Sequence, residues 1–166
     1  KRQEAQSRLA LLFYTEAFNK SRAAQSLTPP PLSEAAYIKA LPNEDILMDS
    51  PEFLKWMSFK MSGLPEPEYP QVGSSALINL RTKYETEKET LLSLNPPDTW
   101  KNYHIWRFVT ANFSLEILDA LETYLKAPGD SPDFLSYNLS QPDLLMQWNE
   151  QAALKTAYAS PKPTDQ

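Results

Sequence analysis

At 166 residues with 15 prolines, 3 glycines and no cysteine, the chain fits one domain that buries roughly 70% of its unfolded surface. It has no disulfide, thiolate metal site or thiol chemistry. A net charge of −5, with 16 basic residues that never form a run, excludes a nucleic-acid footprint. No stretch approaches the roughly 18 apolar residues that read as a membrane span, and three glycines leave phosphate-cradling loops and nucleophile elbows unsupported.

The first helix is predicted from Gln3 to Gln25. Leu9, Leu12, Phe13, Ala17 and Ala24 return to one face, and Leu11, Tyr14 and Phe18 widen it, so this helix should pack lengthwise into a bundle. Thr28-Pro29-Pro30-Pro31 ends it, and Ser33 caps a short helix bearing Ala36, Tyr37, Ala40 and Leu41. Ser50 starts a very apolar piece with Phe53, Leu54, Trp56, Met57 and Met61. Ser62 to Ser74, rich in proline, reads as an ordered surface loop.

From Ser75 to Leu94 the periodicity is clean, with Leu77, Leu80, Tyr84, Leu91 and Leu94 on one face. Lys83 with Glu87 and Arg81 with Glu85 then form opposite-charge pairs four apart. The next helix, Asp98 to Lys126, is apolar over most of its circumference. One row is His104, Phe108, Ala111, Leu115 and Leu118, and a second is Trp106, Val109, Phe113, Ile117, Ala120 and Tyr124. Only Asn112, Glu116, Asp119, Thr123 and Lys126 make a polar stripe, so this helix should be central and covered on two sides. A short helix with Phe134, Leu135 and Leu139 follows, then a last one with Leu144, Leu145, Trp148, Ala152 and Leu154.

Proline followed by an acid recurs where helices should begin, in Ser50-Pro51-Glu52, Asn95-Pro96-Pro97-Asp98, Ser131-Pro132-Asp133 and Gln141-Pro142-Asp143. The expected fold is an all-α, irregular helical bundle of about four longer and three shorter helices, with no strand and no repeat. Residues 1–158 form the single domain and 159–166 a Pro-rich tail or linker. Both ends are expected to be cut from something longer, with a signal peptide or lipid anchor possible upstream.

Chemistry has few candidates. His104 is the only histidine, so paired-histidine metal sites are ruled out. It is either a base activated by a carboxylate from another helix or a packed ring resting on Trp100 and Phe108, and the second reading is favoured. The row Glu116, Asp119 and Glu122, with Glu85 and Glu89, reads as solvated acids; no metal and no cofactor is expected. Aromatic residues are more distinctive. A groove lined by Trp56, Trp100, Tyr103, Trp106 and Trp148, with His104 as a polar contact, would suit a small organic ligand or a protein's apolar anchor. The alternative is that these rings fill the core. Asn19, Asn112 and Asn138 head glycosylation sequons, relevant only in a eukaryotic secretory route.

The junction Leu91-Leu92-Ser93-Leu94-Asn95-Pro96-Pro97-Asp98-Thr99-Trp100-Lys101-Asn102-Tyr103-His104, followed by the long helix to Tyr124, resembles one in uncharacterised bacterial secreted and lipoprotein helical domains. There, one helix ends in leucine, two residues and Pro-Pro, and the next carries a histidine in its first turns. The resemblance implies an extracytoplasmic helical bundle with no assigned activity. Leu41-Pro42-Asn43-Glu44-Asp45 to Ser50-Pro51-Glu52-Phe53-Leu54-Lys55-Trp56 looks like the helical segment before the thioredoxin-like domain of some Bacteroides-group envelope proteins. That likeness implies an accessory domain of a thiol-disulfide oxidoreductase whose Cys-x-x-Cys lies beyond Gln166. The reading adopted is a non-catalytic extracytoplasmic binding or scaffold module for an unknown protein or small organic ligand; a cytoplasmic adaptor that captures a helix is the other alternative.

Overall fold

Three serines set helix starts by accepting backbone N–H groups that no intrahelical carbonyl can reach. Ser33 Oγ takes Ala36 N–H at 3.2 Å, Ser50 Oγ takes Phe53 N–H at 3.4 Å and Ser74 Oγ takes Leu77 N–H at 3.3 Å. The computed structural model describes residues 1–57, 71–127 and 134–159. These residues form α1 (Arg2–Ala24), α2 (Glu34–Ala40), α3 (Pro51–Met57), α4 (Ser75–Ser93), α5 (Lys101–Leu125), α6 (Phe134–Leu139) and α7 (Pro142–Tyr158). There is no strand among them, and the all-α bundle expected from the sequence is the fold observed. The Ser131-Pro132-Asp133 start and most of the predicted Pro-rich loop lie outside the described residues.

Pro51 and Pro142 open α3 and α7 as the Pro-acid pattern predicts. At Asn95-Pro96-Pro97-Asp98 the pattern fails. A 3₁₀ turn, Asp98–Trp100, intervenes and α5 starts at Lys101. Asn95 does not cap it; its side-chain amide donates to Pro29 O at 3.4 Å, and its carbonyl accepts Leu32 N–H at 3.2 Å. The two proline segments are thereby tied to each other across the molecule.

α1 ends in a Schellman arrangement, with Ser26 N–H on Ala23 O at 3.0 Å and Leu27 N–H on Arg22 O at 3.0 Å. Ser26 takes the left-handed conformation there, φ +54°. The orientation of α1 corrects the sequence reading. Its buried residues are Ser7, Ala10 and Phe18, with Leu11 and Tyr14 against the core, whereas Leu9, Leu12 and Phe13 face outward. The helix is apolar on two opposite sides, and the small residues decide which side goes in. Ser7 and Ala10 let α7 approach until Ser7 Oγ lies 3.4 Å from Ala153 O, and Tyr14 OH donates to Glu150 Oε2 at 2.5 Å.

α5 is central as expected, with 15 of its residues buried; α1, α4, α6 and α7 all pack on it. α4 buries Leu77, Tyr84, Leu91 and Leu92, and also Glu87. The predicted charge pairs within α4 are not made. Arg81 reaches across to Asp119 at 2.7 Å and Glu122 at 3.3 Å on α5, Lys83 pairs with Asp45, and Glu87 turns inward. Long-range partners win because α4 lies against α5 along its length, so cross-helix carboxylates are as near as those one turn away.

Candidate functional site

The end of α4 leaves carbonyls without intrahelical partners, and side chains from two other helices supply them. His104 Nε2 is 2.7 Å from Leu91 O. A carbonyl only accepts, so Nε2 carries the proton and donates. Nδ1 is 2.7 Å from Tyr37 OH, and in the neutral imidazole it accepts the phenol's proton. Arg22 Nε donates to Leu92 O at 3.0 Å, and Arg22 Nη2 donates to Leu94 O. A cation at the helix C-terminus also complements its dipole. Phe18 completes the cluster, edge-on to His104 at 5.3 Å and to Phe108 at 5.0 Å, with the Arg22 guanidinium 4.3 Å above its ring.

Burial drives the His104 pKa down from 6.5 to about 4; the Leu91 carbonyl pulls the other way, and the charges of Arg22 and Arg107 add to the depression. The unfolded chain therefore binds a proton here between pH 6.5 and about 4 that the folded chain does not. The contribution, about 3 kcal/mol, is complete above pH 6.5 and is lost as pH falls toward 4. With no exposure and both ring nitrogens bonded, His104 has no lone pair to offer a substrate.

One turn along α5, Arg107 is 1% exposed. Its Nη2 donates to Glu87 Oε1 at 3.0 Å, Pro42 O at 2.9 Å and Asn43 O at 3.2 Å, and its Nη1 donates to Tyr103 OH at 3.2 Å. Tyr103 OH in turn donates to Glu44 Oε2 at 3.2 Å. The guanidinium thus clips the segment 42–44 onto α4 and α5. Desolvation opposes its charge, and Tyr103 and Glu87 outweigh it. Burial pushes the Glu87 carboxyl above its usual range while Arg107 pulls it back. We take the pair as ionised at neutral pH, because an Arg beside an acceptor cannot shed its proton. The raised carboxyl acts on stability in the sense opposite to His104, favouring the folded state as pH falls through the Glu87 pKa.

The structure gathers four of the six predicted site residues and separates a fifth. Trp100, Tyr103, His104 and Trp106 cluster at the start of α5, with Trp100 edge-on to Tyr103 at 5.3 Å and Tyr103 tilted against Trp106 at 5.5 Å. Tyr103, His104 and Trp106 are buried. Trp100 is half-buried, its Nε1 donating to Glu34 Oε1 at 3.1 Å. Trp148 stands apart, half-buried and edge-on to Phe113 at 6.1 Å, about two turns further along α5 than Trp106. The Trp56 side chain lies outside the described residues. Two open grooves between α1 and α7, of about 630 and 510 Å³, are lined by none of these six.

The acidic row on α5 is answered by neighbours: Arg81 holds Asp119 and Glu122, Lys126 adds a contact to Glu122 at 3.3 Å, and Gln147 Nε2 donates to Glu116 at 3.1 Å. Among the described residues no group of three or more His, Asp or Glu is placed to hold a metal ion. Of the sequon asparagines, Asn19 is exposed, Asn112 half-buried and Asn138 1% exposed. Sequence reasoning missed Arg107 and the inward role of Glu87. The signal was available: Glu87 falls three residues after Tyr84 and four before Leu91, on the apolar stripe, and Arg107 interrupts the apolar circumference of α5. No protein family matches this sequence, nor does any curated protein or solved structure.

Proposed function

We propose that this chain is a helical binding or scaffold module that works outside the cytoplasm and does no chemistry of its own. The observation that carries the reading is the engagement of His104, Glu87 and Arg107. Each bonds the fold itself, and a group whose donors and acceptors serve tertiary contacts is not poised for proton transfer to a ligand. The extracytoplasmic part rests on the Leu91 to His104 junction and its likeness to secreted and lipoprotein bundles. A partner meeting the aromatic set would meet Trp100 or Trp148, the members with exposed ring surface among the described side chains.

The test is fractionation of the native cell, followed by intact mass and terminal peptide mapping of the full-length protein. An envelope or secreted protein with a processed or lipidated N-terminus is the expected result. An unprocessed protein confined to the cytoplasm would overturn the reading.

A further inference from the structure

The three most exposed large apolar side chains among the described residues, Leu9 (69%), Leu12 (68%) and Phe13 (62%), occupy one turn of α1. They sit at i, i+3 and i+4, on the side of the helix opposite Ser7, Ala10 and Phe18. The helix that carries them is the basic part of an acidic chain: residues 1–24 hold five Lys or Arg against two Glu, whereas the whole chain holds 16 against 21. Arg2 lies two turns before Leu9 on the same side of the helix and Arg8 about a quarter turn to one side, both exposed and without an ion pair among the described residues. Arg2 lines the same groove as Leu9 and Phe13.

The acids close to this face already have partners. Glu16 pairs with Lys20 at 3.2 Å, and Glu150 on α7 accepts the Tyr14 hydroxyl at 2.5 Å. Glu4, the other acid of α1, lies one turn before Arg8 and further round the helix from the trio, and it pairs with the N-terminal amine at 3.9 Å. What remains is an exposed apolar trio beside two guanidinium groups that have no ion pair among the described residues.

We propose that this face of α1 contacts an anionic membrane surface, with Leu9, Leu12 and Phe13 entering the headgroup region and Arg2 and Arg8 on lipid phosphates. Charge complementarity and size select that occupant. Three apolar residues on one exposed helix turn fall far short of the roughly 20–30 residues a side that a stable protein interface engages. Shallow insertion of a few Leu and Phe beside cations is how interfacial helices hold lipid. The negative charge of the rest of the chain is screened beyond about 8 Å at physiological salt, so it does not cancel the local attraction.

Flotation of the full chain with vesicles of phosphatidylcholine containing about 30 mol % phosphatidylglycerol tests it. The protein should float with these, remain behind with pure phosphatidylcholine, and be released when salt is raised to about 0.5 M. A Leu9→Ser/Phe13→Ser variant should bind roughly tenfold or more weakly. Its thermal midpoint should be unchanged, since both side chains are exposed. An Arg2→Gln/Arg8→Gln variant should lose several-fold on the anionic vesicles. Absence of flotation, or undiminished flotation of the Leu9/Phe13 variant, would overturn the proposal. So would a dimer in sedimentation that this variant dissolves while no flotation occurs, because the face would then belong to a second copy of the chain.

Discussion

Arg107→Ala is expected to cost about 3–5 kcal/mol of folding stability, because it leaves Glu87 charged or protonated in a site built for a guanidinium and frees two backbone carbonyls. For a domain of this size that is a thermal midpoint lower by roughly 10 °C or more. Arg107→Lys should recover little. An ammonium cannot reach Glu87, Tyr103, Pro42 and Asn43 together as the planar fork does at 2.9 to 3.2 Å. The pair as a whole is a different matter. A double Arg107→Met/Glu87→Leu variant removes both charges at once and should stand well above the single variant, since desolvating an ion pair offsets much of its Coulomb gain. Denaturant titrations of the three variants give the coupling directly. A single Arg107→Ala variant that loses less than about 1 kcal/mol would mean that the network contributes no more than a surface pair.

The second large effect is at Trp106. Its ring has no exposure, and Trp106→Ala is expected to cost about 3–5 kcal/mol from lost burial and the cavity left behind. Trp106→Phe should cost far less. It keeps most of the ring and discards an indole N–H that has no hydrogen-bond partner among the described residues. Trp100→Ala, by contrast, removes a half-buried ring and one bond to Glu34, with an expected loss of about 1 kcal/mol. Chemical denaturation monitored by far-UV circular dichroism separates these cases. If Trp106→Ala were as stable as the parent, the ring would be a ligand contact and not part of the core.

The architecture was readable because its signals are local. Serine caps and helix-opening prolines act within four residues, and the nearly all-apolar circumference of α5 leaves it nowhere to sit but the centre. What failed was the choice between two solutions of equal local merit. α1 has an apolar side through Leu9, Leu12 and Phe13 and another through Ala10, Leu11, Tyr14 and Phe18. Periodicity counts apolar residues; packing instead favoured the side whose small residues admit α7. Glu87 and Arg107 were unreadable as a pair for a related reason. A charge on an apolar stripe is a conflict until its partner is known, and that partner lies on another helix 20 residues away. Of the predicted groove of Trp56, Trp100, Tyr103, His104, Trp106 and Trp148, the four that neighbour one another do so because they share the start of α5, while Trp148 packs on Phe113 further along the helix, and sequence carries no measure of which rings are covered.

The chain's single histidine is held as a neutral joint between α2, α4 and α5, with both ring nitrogens bonded within the fold. With one imidazole in the molecule, nitrogen-15 NMR of the ring across pH reads it without ambiguity. The Nε2–H tautomer, with Nδ1 accepting from Tyr37, should persist well below pH 6, with protonation near pH 4 accompanied by a loss of about 3 kcal/mol of stability. A ring that titrates near 6.5 in the folded state, with fast tautomer exchange, would mean that the bonds to Leu91 and Tyr37 do not hold it, and would return His104 to the groups able to do chemistry.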